Sequence, residues 1–391
     1  MFILKYLPII LIPAIALITS MLFNKIINVK LSNGQRTITI DGLRGFLALF
    51  VVTHHAAIWM YYIKSGVWQL PPSRVYANLG QLGVVFFFMI TSFLFISKIR
   101  NSGVVNWAGI YKSRLRRLFP MYLLSLFLML VVTGFATAWS LNVTVYELIT
   151  SIGEWASFAI IGMPDINGFT DARLIGGVAW SLVYEWLFYL SLPVLALTLN
   201  GWVKVGVLII SMLLLMTIIY FSEYKFKLVH VLSFFMGGVA LFVCNNKVLK
   251  NFAVSKAGSL LTVAAIIAAL NFSSDSFSLS LILFTSIAFT MICSGSDIFG
   301  ILKLSCTRIL GESTYSIYLL HQVILYSVLK LFLGVDLLKQ ISEIDFWIII
   351  FCVVVVTIMI SHVTYKYIEL PWVSSRKPIT NDIGNHTESV R

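Results

Sequence analysis

The chain has 391 residues, 59% of them apolar and only 11% charged, with a formal net charge of +12 and a mean hydropathy of +0.94. Soluble domains run at about 45–50% apolar and about 25% charged, so a soluble globular protein is excluded and an all-α polytopic membrane protein is expected. In such a protein the positive excess is first a topology signal, and no nucleic acid is needed to explain it.

The apolar runs predict eleven spans, near residues 3–23, 43–63, 82–99, 118–138, 177–199, 203–221, 228–244, 254–270, 279–294, 314–333 and 346–368. Residues 1–38 form an extra N-terminal helix and inner linker, 39–373 the main membrane domain, and 374–391 a short cytoplasmic tail. The first span reads as an uncleaved anchor with its N-terminus outside, because Lys5 is its only leading cation and the positive charge follows the helix. That orientation puts the C-terminus in the cytoplasm and twenty of the 28 Lys and Arg inside, leaving eight outside: Lys5, Lys64, Arg74, Arg173, Lys225, Lys227, Lys330 and Lys339. Glu147, Glu154, Asp165 and Asp171 interrupt residues 141–176, which are expected to form an outer loop with an interfacial helix.

The second span carries DGLRGFLALFVVTHH, with Arg44 and His55 at the ends of an apolar decade. Eleven helical steps rise about 16 Å and return to within about 20° of one face, whereas His54 lies about 80° round. Such a stripe suits an anion anchor at the membrane edge and an imidazole at work near mid-bilayer. An outer loop with Pro71 and Pro72 follows, then GVVFFFMITSFLF, which opens on Gly83.

Lys112, Arg114, Arg116 and Arg117 form the densest basic cluster. Arg114 and Arg117 are helix neighbours, while Arg116 points elsewhere. Two readings stand: contact with lipid phosphate, or a phosphate cradle built from guanidinium forks. In VAWSLVYEWLFYL, Glu185 enters an apolar segment at a cost of about 2.5–3.5 kcal/mol unless it is paired. Ser181 and Tyr189, four residues to either side, can hydrogen-bond it.

His230 reads as interfacial. In LGESTYSIYLLHQ, residues 311–313 read as a helix start that carries Tyr318 and His321 into the span. Ser361, His362, Tyr365 and Glu369 follow at one-turn steps as a packing stripe, and Pro371 is expected to stop the helix. Cys244, Cys293, Cys306 and Cys352 are scattered and read as small apolar fillers, and no metal site is expected.

A mid-membrane imidazole fits a general base, and inner arginines fit a phosphate-bearing donor. Together they suggest group transfer to an acceptor hydroxyl. The ordered motifs resemble the acyltransferase family 3 membrane O-acyltransferases: Arg44-x10-His55; the glycine-led, Phe-rich residues 83–94; Arg114-x-x-Arg117 followed by Leu118, Pro120 and Tyr122; WSLVYEWLFYL; LGESTYSIYLLH; and YIELP. Thr91, Ser92 and Phe93 stand where the family has Ser-Gly-Phe.

The resemblance implies a ten-helix core preceded here by one extra helix, in a bacterial cytoplasmic (inner) membrane. It implies transfer of an acyl group, commonly acetyl, from acyl-CoA to a hydroxyl of a cell-surface glycan such as lipopolysaccharide, or its lipid-linked precursor. His55 would be the catalytic base and Glu185 would support the site. Arg44, Arg114 and Arg117 would hold the coenzyme's phosphate end, with Tyr122 and His321 as lesser candidates. Direct attack and a transient acyl-His remain alternatives. The tail after Trp372 is expected to hold no esterase-like domain of the kind some members carry, so transfer is expected to be completed unaided or with glycan-assembly partners. The rival readings are a secondary transporter or flippase with an intramembrane His/Glu proton relay, and a non-catalytic scaffold.

Overall fold

Backbone polar groups inside a bilayer must be satisfied within their own segment, so the apolar runs fold as helices. The structure, a computed structural model, describes residues 2–29, 31, 38–102, 104–200, 205–221, 228–273 and 278–374. The basic positions Lys30, Arg36, Lys204, Lys225 and Lys227 and the tail from residue 375 lie outside the described residues.

Four long helices open the chain: α1 (Phe2–Ile27), α2 (Ile38–Ser65), α3 (Arg74–Arg100) and α4 (Trp107–Ala136). After them come α5 (Val145–Ala156), α6 (Ala172–Gly176), α7 (Trp180–Asn200), α8 (Val205–Phe221), α9 (Leu228–Val243), α10 (Lys247–Ala253), α11 (Lys256–Phe272) and α12 (Leu279–Cys293). The chain ends with α13 (Ser305–Glu312), α14 (Thr314–Tyr326), α15 (Val335–Gln340), α16 (Glu343–Thr364) and α17 (Leu370–Ser374).

Each of the eleven expected segments overlaps one of these helices, and the all-α polytopic membrane fold is as read. Among the described residues seven helices are long and apolar enough to cross a membrane, or eight if α9 and α10, bent by 105°, form one broken span. The seven include α1 and α2, and α11 and α12 are shorter, so length alone does not reach eleven.

Helix α2 sits at the centre, packed on α3, α13 and α14, with α3 in turn against α9. Close approach depends on missing Cβ atoms. A Cβ on Gly311 would collide with the Asp41 carbonyl and one on Gly42 with the Leu302 carbonyl, so α13 lies against the start of α2, where Arg44 stands. The glycine absent at Ser92 is supplied from the other side: Gly237 and Gly238 of α9 meet Met89 and Ile96 of α3. Helix α1 joins the bundle against α16, and Ser20 Oγ contacts His362 Nε2 at 2.9 Å in a buried position.

Several local expectations are corrected. Residues 141–176 hold the expected surface helix, α5, over a mostly exposed first part, but they do not stay at the surface throughout. Thr144 and Glu147 cap α5 reciprocally, but Trp155, Phe158, Ile166 and Ile175 then enter the core. Burying those large side chains outweighs the exposed acidic residues around them. Gly311 and Glu312 end α13 rather than start α14. Pro371 does not stop the chain's helix: a wider turn over Tyr365–Glu369 precedes it, and Pro371 sits in the first turn of α17, where a missing N–H is harmless. His230 is buried among Phe88, Trp180 and Tyr184, not interfacial.

Candidate active site

Arg114 and Arg117, three residues apart on α4, face the same way and line three adjoining cavities. The first, about 160 Å³, is shared with Asp41, Arg44, Phe95 and Lys98. A second, about 350 Å³, is shared with Lys112, Arg116 and Trp372. The third, about 100 Å³, leads inward past Arg44, Glu185 and Ser181 to Tyr318. Arg116 borders only the second of these, in keeping with its different direction on the helix.

Glu185 is paired as its spacing foretold on one side: Tyr189 Oη donates to Glu185 Oε2 at 3.0 Å. Ser181 does otherwise. Its Oγ meets Tyr318 Oη at 2.9 Å, and Tyr318 Oη also donates to the Val178 carbonyl at 3.0 Å. Arg44 lies 4.0 Å from Asp41 one turn earlier, and the Arg114 guanidinium covers the Phe95 ring at 5.0 Å.

Beyond Tyr318 stand the histidines. The rings of Tyr318 and His321 are 6.1 Å apart, and His321 Nε2 is 3.0 Å from His55 Nδ1. His321 Nδ1 lies 3.1 Å from the Ile317 carbonyl, and His55 Nδ1 lies 3.1 Å from the Val51 carbonyl. One proton pattern satisfies all three contacts. His321 donates from Nδ1 to Ile317, the single Nδ1–H of His55 is shared between the Val51 carbonyl and His321 Nε2, and the Nε2 lone pair of His55 is left over. His54 turns away, its Nδ1 bonded to the Tyr76 carbonyl at 2.8 Å. The helical-wheel distinction between the two neighbours therefore holds in three dimensions.

Tyr122 is not brought to this assembly. Its hydroxyl donates to the Trp155 carbonyl at 2.6 Å, its ring stacks on Phe158, and it borders a separate void of about 10 Å³. Two carboxylates are present that local pattern hid. Glu312 accepts from Tyr365 at 3.0 Å and Glu369 from Ser316 at 3.3 Å; both are buried and both act on the Arg117 charge. In sequence each looked like a helix-end or packing residue. The usable signal was that each is a carboxylate inside an otherwise apolar run.

The family model described as Acyltransferase domain matches residues 37–366, from just before Arg44 to just before Glu369. The chain belongs to the acyltransferase 3 family. It is a multi-pass membrane protein. A Rhizobium leguminosarum bv. viciae protein described as Nodulation protein 10 is 31% identical over 196 residues, covering 46% of this chain and 49% of that protein. The chain thus spans about half the length of the curated relative it matches. No solved structure matches. In this acyltransferase 3 chain the matched region holds the three arginines, Glu185 and both site histidines, while α1 lies outside it.

Proposed function

We propose that the chain transfers an acetyl group from acetyl-CoA to a hydroxyl of a cell-surface glycan or its lipid-linked precursor in the bacterial cytoplasmic membrane. The carrying observation is the run of cavities that meet at Arg114 and Arg117 and lead past Glu185 and Tyr318 towards the paired histidines. Three guanidinium groups suit a polyanionic carrier, because forked N–H donors match phosphate oxygens and attract negative charge. The rise of about 16 Å from Arg44 to His55 is a distance that a long flexible thioester arm can span.

In this reading His55 Nε2 takes the proton of the acceptor hydroxyl while His321 holds the His55 ring by its other nitrogen. The acceptor oxygen forms a bond to the thioester carbonyl carbon, the carbon–sulfur bond breaks, and the proton passes from His55 to the departing thiolate. Products are an O-acetyl ester and the free thiol. The Tyr189 hydrogen bond keeps Glu185 available to oppose the arginines, so that the cavity is not wholly cationic.

Purified protein in nanodiscs, given [acetyl-14C]acetyl-CoA and glycans extracted from the native membrane, is expected to move label onto an alkali-labile ester. His55→Ala should lower that rate by about 10²–10⁴-fold, the usual share of a general base, while remaining folded and membrane-bound. Wild-type transfer by the variant would refute the base assignment. Absence of label transfer by the unaltered protein would refute the acetyl donor or the glycan acceptor.

A further inference from the structure

The cavity between α4 and α17 differs in kind from its two neighbours. It is the largest of the three that meet at Arg114 and Arg117, about 350 Å³ against about 160 and 100 Å³. Its wall combines four cations, Lys112, Arg114, Arg116 and Arg117, with one indole, Trp372. Trp372 is 51% exposed, so part of its ring surface is open. Where the smallest cavity runs inward, this one lies at the basic rim of the bundle, against the last turn of the chain's described helices.

Indole and guanidinium groups around one space suit a ligand that is both flat and polyanionic. A purine ring stacks on an aromatic face, and its phosphates take the forked donors beside it. A lipid headgroup would use the cations but offers no flat ring for the indole. The cavity beside Phe95 is a poorer platform, being smaller and with that ring already covered by the Arg114 guanidinium.

We infer that the α4–α17 cavity is the nucleotide subsite, with Trp372 stacking the purine of the acyl carrier and Lys112 and Arg116 joining Arg114 and Arg117 on its phosphates. The inference rests on the coenzyme A reading above and adds to it the residues that hold the end farthest from the chemistry. It also accounts for Arg116, which points away from the inward cavity and faces the nucleotide instead.

The test uses the full chain in nanodiscs and calorimetric binding of three probes: coenzyme A, adenosine 3′,5′-bisphosphate and inorganic pyrophosphate. Trp372→Leu keeps an apolar side chain at the membrane edge but removes the ring. It is expected to weaken both coenzyme A and the adenosine bisphosphate by about tenfold or more, the scale of a lost base–aromatic stack, and to leave pyrophosphate binding as it was. Trp372→Phe should restore binding to within a few-fold. Coenzyme A binding by the Leu variant equal to that of the unaltered chain would overturn this subsite while leaving the acyl-CoA reading intact. Equal weakening of all three probes would overturn it as well, since that is what a merely structural Trp372 gives. An unaltered chain that binds no coenzyme A would overturn both.

Discussion

At the scale of single residues, His321 is the informative partner. It is fully buried, and its Nε2 is within 3.0 Å of His55 Nδ1. An imidazole that works through one nitrogen needs its other nitrogen fixed, because that bond sets both tautomer and ring orientation. His321 is thus a positioning residue in the proposed reaction. His321→Ala is expected to lower kcat by about 10- to 100-fold, the range seen when partners orienting a functional imidazole are removed, with little change in the KM for acetyl-CoA. His321→Gln, whose amide oxygen can accept from His55, should recover part of the loss. Equal effects of Ala and Gln, or an effect confined to KM, would show that the contact has no positioning role. Glu312 and Glu369 enter at this scale too. Buried arginines are tolerable only when opposed by charge or hydrogen bonds, and Arg117 has both carboxylates acting on it.

At the scale of elements, the site depends on how tightly α13 presses on the start of α2. The Gly311 contact involves the Asp41 backbone carbonyl, which cannot swing aside as a side chain could. Gly311→Ala should therefore destabilise the protein by about 1–3 kcal/mol, the usual range for overpacking. A lowered melting temperature in detergent would record it. Gly153→Ala is the control: it lies on the exposed face of α5 with nothing near its missing Cβ, and should leave melting unchanged or raise it through helix propensity. Local features of this kind explain what the chain's pattern disclosed. Arg44 and His55 share a stripe, and Glu185 and Tyr189 pair four residues apart, because both relations lie within one helix and follow its period. The His55–His321 contact joins residues 266 positions apart, and the convergence of Glu312 and Glu369 on Arg117 joins three helical segments. Interhelical pairing is decided by packing, which no local period records. The same reasoning covers residues 157–171: their descent into the core follows from a place for Trp155 and Phe158 to pack, supplied by α4 and α7.

At the scale of the whole molecule, charge is sorted by end. The start of α2, the end of α3, the start of α4 and the wider turn after α16 gather Arg44, Lys98, Arg100, Lys112, Arg114, Arg116, Arg117 and Lys366. Lys303 and Arg308 join them, because Leu302 and α13 pack on the start of α2. At the opposite end the cations among the described residues are fewer, and some of them sit in ion pairs: Lys64 with Glu343 at 2.7 Å, and Lys330 with Asp171, which also accepts from Tyr326. Segments rich in Lys and Arg are retained in the cytoplasm, so the cavities around Arg114 should open to the cytoplasm. Single cysteines can test this after replacement of the four native ones, Cys244, Cys293, Cys306 and Cys352. Lys64→Cys should react with a membrane-impermeant maleimide in intact cells, and Lys303→Cys only after permeabilisation. Both positions are half exposed, in surface ion pairs that contribute little to stability, so either substitution should be tolerated. Labelling in the reverse order would turn the basic cavities away from the cytoplasm, and a cytoplasmic acyl carrier could then not reach Arg114 and Arg117 by the route proposed.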